Sequence, residues 1–254
     1  MDKNFEKDLS FFIDELKKRG IDFKRIFFLI EEFERQGLDF ESFLELIKGD
    51  KDLAKELIEF IKARLQPESV DAIYLAPWKK IYHEWFSMEI NVSGLKVPDN
   101  YDPQKHFLVL VAKGIIMKAV VSAMRERFKV YLYTEDLDSD VTKNDRNSQD
   151  GNYFILFNRN IEADEEFKNV SADDLAKKEH RGITLLERLL LEILYFSETK
   201  KHLDTDNWTL CSGSRNSDGG VPNVFWYSDD DGLSVHLYDS GSYFDGLRSR
   251  SVAS

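Results

Sequence analysis

The sequence predicts an α+β fold, with a helical N-terminal region followed by a domain of short strands and helices. Three observations point to it. Apolar residues recur at steps of three and four through the first 66 positions, as one face of a helix requires. The middle of the chain alternates short β-rich runs with helical stretches. Near the C-terminus two runs alternate with period two around a turn, the pattern of a half-buried hairpin. The 254 residues, 42% of them apolar, suffice for one large domain or two small ones.

Taken in order, Phe5, Leu9, Phe12, Ile13 and Leu16 form a first helical stripe that Gly20 breaks. Phe23, Ile26, Phe27, Ile30 and Phe33 form a second, ended by Gly37. Asp39 stands where an N-cap starts a third helix through Phe43, Leu46 and Ile47. A fourth is predicted over 53–65, ending before Gln66 and Pro67 because proline disfavours helix in the residue before it. These helices make a bundle over residues 1–67, and a second domain takes 70–254.

In the second domain, 106–111 (HFLVLV), 128–133 (FKVYLY) and 153–157 (YFILF) read as strands. A helix is predicted over 115–127, and 136–151 is a polar loop. Thr184 followed three residues later by Glu187 is a capping box, in which each side chain bonds a backbone amide of the other's turn. The helix it opens, with Leu185, Leu186, Leu189, Leu190, Ile193 and Leu194, is apolar enough to be core.

Bulk properties exclude several functions. A net charge of −12 is wrong for a protein that grips nucleic acid, which needs surplus Lys and Arg. One cysteine rules out an internal disulfide framework and a paired-cysteine metal knuckle. No apolar stretch approaches the roughly 20 residues of a membrane span. The N-terminus MDKNFEKDLS is too charged for a secretory signal, so a cytoplasmic protein is expected as synthesised.

Residues 211–254 differ from everything before them. They contain no Lys, Glu, Gln or Met, although the preceding 210 residues hold 22 Lys and 21 Glu. Ten Ser, six Asp and six Gly stand in their place, with Tyr, Phe and Asn. Turn-rich β structure lowers Lys and Glu but seldom removes four residue types together. Over 221–228, Val224 and Trp226 share one face while Asn223, Phe225 and Tyr227 share the other. Over 233–240, Leu233, Val235 and Leu237 form the apolar face, and Ser234, His236, Tyr238 and Ser240 point away. Asp229, Asp230, Asp231 and Gly232 make the turn, and a third strand is expected over 247–252. Pairing the first two puts Asn223, Phe225, Tyr227, Ser234, His236 and Tyr238 on one exposed surface. Its Tyr, Ser, Asn and Gly are the mixture that antibody loops use, with large rings at low entropic cost among adaptable hydrogen-bonding groups.

The stretch Leu210-Cys211-Ser212-Gly213-Ser214-Arg215, then Val221-Pro222 and Trp226, ending in Gly246-Leu247-Arg248-Ser249-Arg250, resembles the variable end of target proteins of diversity-generating retroelements. In that family an error-prone reverse transcriptase copies a template repeat with changes at adenines and writes it into the 3′ end of the target gene. Variable codons are mostly AAC or AAT, from which adenine changes cannot give Lys, Glu, Gln, Met or Trp. The resemblance implies a C-type lectin-like fold over 70–254, most specifically over 182–254. There a small twisted antiparallel sheet and two helices, one of them opening at Thr184, hold an irregular ligand surface. It further implies a variable region at 211–254. The expected function is binding of a protein or cell-surface ligand, without cofactor or enzymatic activity, and association with a virus particle or another surface is left open.

Chemical motifs are weak. Val221-Pro222-Asn223 lacks the first ligand of the calcium-dependent sugar site that lectins of this fold use, so binding is expected to be calcium-independent. The acidic run from Asp136 opens like an EF-hand loop but has Val141 where Gly is needed and Asn147 where Glu should chelate. Cys211 lacks a partner motif for nucleophilic catalysis. The expected scaffold is Trp226, Val224, Leu233, Val235 and Leu237. The expected contacts are Asn223, Phe225, Tyr227, Ser228, Ser234, His236, Tyr238, Ser240, Ser242, Tyr243 and Phe244, with Asn216 and Asp218 at the rim. The alternative is an assembly protein that docks through its N-terminal helices and has an invariant tail.

Overall fold

The structure is a computed structural model that describes residues 67–92 and 95–253, the side chains of 67–73 excepted. The four helices expected within residues 1–66 lie outside the described residues. The chain divides into two compact units, Met1–Tyr74 and Leu75–Ser254. The second is a mixed α/β unit.

The first described helix, α1, spans Pro67–Phe86. The expected end of the preceding helix before Gln66 and Pro67 lies outside the described residues, and Pro67 begins a helix not predicted from the sequence. At the first helical position the missing N–H has no partner to lose, and the ring's fixed φ already suits the helix. Within the second unit, α1 is tied to strand β1 (His106–Val111) by two side chains. The Trp78 indole donates to the Leu108 carbonyl at 2.7 Å, and the Tyr82 hydroxyl donates to Leu110 O while accepting from Ala112 N. Burial raises the Tyr82 hydroxyl's pKa, so it stays a donor.

Helix α2 (Met117–Arg125) leads into β2 (Lys129–Leu132), close to the expected bounds. Its own N-cap position, Ile116, cannot bond the first amides. Asp138 does so from a distance, accepting from Met117 N and Lys118 N at 2.9 and 2.8 Å. The acidic loop is therefore ordered. It holds the short helix α3 (Leu137–Asp140), capped by Asp136, and the two-residue strand β3 (Lys143–Asn144). Two of its carboxylates, Asp136 and Asp138, cap helices.

Strand β4 (Tyr153–Asn158) pairs antiparallel with β1 from His106↔Asn158 to Val111↔Tyr153. After α4 (Ala172–Lys177) comes α5 (Leu185–Thr199), with the capping box as expected. Thr184 Oγ1 accepts from Glu187 N, and Glu187 Oε2 accepts from Thr184 N. Glu187 is fully buried, and Arg146 forks onto both its oxygens at 2.6 and 2.8 Å. Just before the helix, Gly182 lies so close to Ser212 that any Cβ would overlap its hydroxyl.

The five remaining strands are β5 (Trp208–Leu210), β6 (Ser214–Arg215), β7 (Val221–Tyr227), β8 (Gly232–Tyr238) and β9 (Leu247–Ser249). The main sheet runs β2-β8-β7-β5-β9. β7 and β8 form the expected hairpin, in register from Val221↔Tyr238 to Tyr227↔Gly232. The third strand does not join β8. It pairs parallel with β5, a strand too short for periodicity to reveal, and β5 sits between β7 and β9. β6 pairs with β3.

The inner face of this sheet packs Val224, Trp226, Leu233 and Val235 into a core shared with α1, α2 and α5. His202 stacks flat on Trp226. Beneath β5 lies a buried charge network. Asp204 accepts from Arg188 Nε at 2.9 Å, from Arg250 Nη2 at 2.6 Å and from the Thr209 hydroxyl. Arg188 also donates to Glu192 at 2.8 Å. Burial opposes the Arg188 charge, but Asp204 and Glu192 more than offset it and hold the guanidinium protonated.

Candidate functional site

The other face of the main sheet is where the expected contact residues fall. Side chains alternate across a sheet, so the register fixes which ones share a face. β7 contributes Val221, Asn223, Phe225 and Tyr227, and β8 contributes Ser234, His236 and Tyr238. β5 adds Trp208 and Leu210, and β2 adds Tyr131 opposite Ser234. Part of this face is closed. Leu210, Val221 and Leu247 bury themselves against Ala172 and Leu175 of α4. The remainder is aromatic.

Trp208 organises the rings. It stacks on Phe225 with centroids 4.0 Å apart and planes within 1°, and lies nearly parallel to Tyr238 at 5.7 Å. Phe244 meets Trp208 and Tyr238 edge-on at 5.3 and 5.6 Å, and Tyr227 meets Phe225 edge-on at 5.8 Å. His236 lies 5.5 Å from Phe225. Offset-parallel and edge-on contacts match the quadrupoles of the rings, so the cluster is pre-arranged. Burial depresses the His236 pKa, which keeps its ring neutral at pH 7, and raises that of Tyr238, which keeps its hydroxyl protonated.

The face is less open than the sequence suggests. Tyr227 is 42% and Tyr243 66% exposed, His236 and Ser228 are also exposed, and Tyr238, Ser240, Ser242 and Phe244 are half-buried. Four expected contacts are corrected. Phe225 is buried because Trp208 covers it. Ser234 is buried because its short side chain lies between Tyr131 on β2 and Phe225 on β7. Asn216 is buried and organises a turn, its Oδ1 accepting from Asp218 N and Gly220 N at 3.1 and 2.7 Å. Asp218 is exposed at that rim. Asn223 has no exposed surface, and neither its carboxamide oxygen nor its nitrogen has a hydrogen-bond partner.

Two residues of the face were missed. Trp208 lies outside the tail whose composition drew attention, on a strand of three residues. Tyr131, 45% exposed, alternates with Val130 and Leu132, and that signal could have assigned it. Elsewhere chemistry is sparse. Burial pushes the Cys211 thiol up, and a protonated, fully buried thiol is a poor nucleophile. A hollow of about 330 Å³ lies beside Lys143, Asp145, Leu175, His180, Ser212 and Arg215, but the Arg215 guanidinium is already bonded to the carbonyls of Ser212 and Ser214. Among the described residues no three His, Cys, Asp or Glu side chains converge as a metal site, and no helix is long and apolar enough to cross a membrane.

Comparison with family models, curated proteins and solved structures found no match.

Proposed function

We propose that this chain is a non-enzymatic, calcium-independent ligand-binding protein that displays a diversified surface on a C-type lectin-like scaffold. The diversity would be written by retroelement-directed adenine mutagenesis. The observation that carries the reading is Asn223. A buried carboxamide with no partner costs about 1–3 kcal/mol, and an apolar residue of similar size would avoid the cost. Asn is also what an unmutated AAC or AAT codon encodes. A position written by a mutagenic copying process is not selected for folding in each copy, and a residue that folding disfavours is the expected trace.

Several features agree with this reading. The segment without Lys, Glu, Gln or Met supplies both strands of the hairpin. Its outward residues (Asn, Phe, Tyr, Ser, His) are reachable from such codons, whereas Trp226, which is not, lies in the core. Two helices, α2 and α5, back the sheet from within, as the lectin-like scaffold requires.

Sequencing the gene's 3′ end in a source population, with its flanking DNA, tests the proposal. The expected result is variation at codons 223, 225, 227, 234, 236 and 238 beside a near-repeat carrying adenines there. An invariant tail with no repeat nearby would sink it.

A further inference from the structure

The aromatic face has an unbalanced charge rim. Asp229, Asp230 and Asp231 stand exposed at the hairpin end, and Asp239 and Asp245 stand exposed at the other end and in the adjoining loop. None of the five carboxylates forms a salt bridge among the described residues. Three cations on neighbouring elements are already paired: Arg248 with Glu165, Lys177 with Asp174, and buried Arg250 with Asp204. Lys129 donates to the Asp230 carbonyl and offsets one of the three charges at the hairpin end. The tail has no lysine at all. Exposed Tyr227 and half-exposed Tyr238, set among unpaired carboxylates, attract guanidinium groups, which stack on rings as well as pair with acids.

Asn223 adds a second, independent feature. Its unpartnered carboxamide lies on this same face, directly across the β7–β8 ladder from His236. A carboxamide offers a donor and an acceptor side by side, the complement of one peptide group. Exposed His236 is the neighbour of Asn223 on one side and buried Leu210 on the other.

We infer that this face takes an arginine-bearing, extended polypeptide segment of a partner protein. Its backbone bonds Asn223 once the His236 side chain moves aside, and its basic side chains stack on Tyr227 and Tyr238 and reach the carboxylates at the two ends. From Gly232 to Tyr238 the strand covers seven residues, so the ends lie about 20 Å apart and the segment needs about six or seven residues between its outermost basic groups. The inference rests on reading this face as the ligand surface and adds the chemistry of the ligand.

The test is selection of a displayed library of random twelve-residue peptides on the full-length protein, with the Tyr227→Ser, Tyr238→Ser double variant as counter-selection. That variant has the same net charge, so peptides held only by the overall acidity of the chain are removed. The inference predicts enriched peptides carrying two or more arginines. Their affinity should fall at least tenfold in the Asp229→Asn, Asp230→Asn, Asp231→Asn triple variant, and steeply with added salt. Asn223→Leu should weaken them several-fold while leaving the melting temperature equal or higher, which separates a contact from a structural role. Neutral or acidic winners that still depend on Tyr227 and Tyr238 would overturn the cationic partner and leave the ligand surface standing. Enrichment indifferent to the two tyrosines, or none, would overturn both.

Discussion

The two faces of the five-stranded sheet come from the same strands and, over β7 and β8, from the same compositionally odd segment, yet they obey different rules. On the inner side the buried charges are paired, Arg188 Nη2 lying 2.8 Å from Asp204 although it makes no aligned hydrogen bond. Asp204 holds two guanidiniums and a hydroxyl, and Glu192 accepts from Arg188 and lies 2.9 Å from the His202 ring nitrogen. On the outer side Asn223 is equally buried and bonds nothing. Burial alone does not mark a residue as scaffold. Whether its polar atoms are satisfied is the better sign of what the position is for, because an unmatched buried group lowers stability and a folding-optimised site would lose it.

The contrast can be broken most severely at Asp204. Asp204→Ala leaves Arg250 without a counter-charge in the core and Arg188 with Glu192 alone, and should cost about 3–5 kcal/mol in denaturant unfolding. A cost below about 1 kcal/mol would mean that the inner network is solvated. Trp226→Ala should follow at about 3–5 kcal/mol through lost core volume, measured the same way. One residue along the strand and on the opposite face, Tyr227→Ala combined with Tyr238→Ala should cost no more than about 1–2 kcal/mol and abolish ligand binding. Loss of cooperative unfolding in that double variant would mean that the faces are inverted.

Much of this contrast is legible in the sequence. Period-two alternation places Val224, Trp226, Leu233 and Val235 against Asn223, Phe225, Tyr227, Ser234, His236 and Tyr238, and the capping box at Thr184 fixes the start of α5. What alternation cannot give is cover. Phe225 and Ser234 are outward yet buried because Trp208 and Tyr131 arrive from strands that no local pattern pairs with the hairpin. The Asp204 network is equally invisible, since Arg188, Asp204, Thr209 and Arg250 come from separate segments and look like surface residues one at a time. The helix that starts at Pro67 goes unread when proline is weighed only as a stop for the segment before it, whereas the first helical position also suits it.

A smaller effect sharpens the picture through pH. Burial lowers the pKa of His180, which packs on Phe167, and of His236. For a group whose charged form the fold disfavours, stability is full above the unfolded value near 6.5 and declines as pH falls through the folded value. Melting temperature should therefore drop as pH goes from about 6.5 toward 5, and His180→Phe should flatten that drop more than His236→Gln, since His180 is the more buried. An unchanged slope in both variants would assign the acid sensitivity to other groups.

The division of labour between the faces is tested most directly by saturating positions 221–240 with all substitutions and scoring each variant for folding by protease resistance. The account predicts a period-two profile. Positions 224, 226, 233 and 235 should reject polar and small residues, while the exposed or half-buried 227, 236 and 238 accept most substitutions and 223 folds better with an apolar residue than with Asn. Equal intolerance on both faces would contradict the account and make the whole hairpin scaffold.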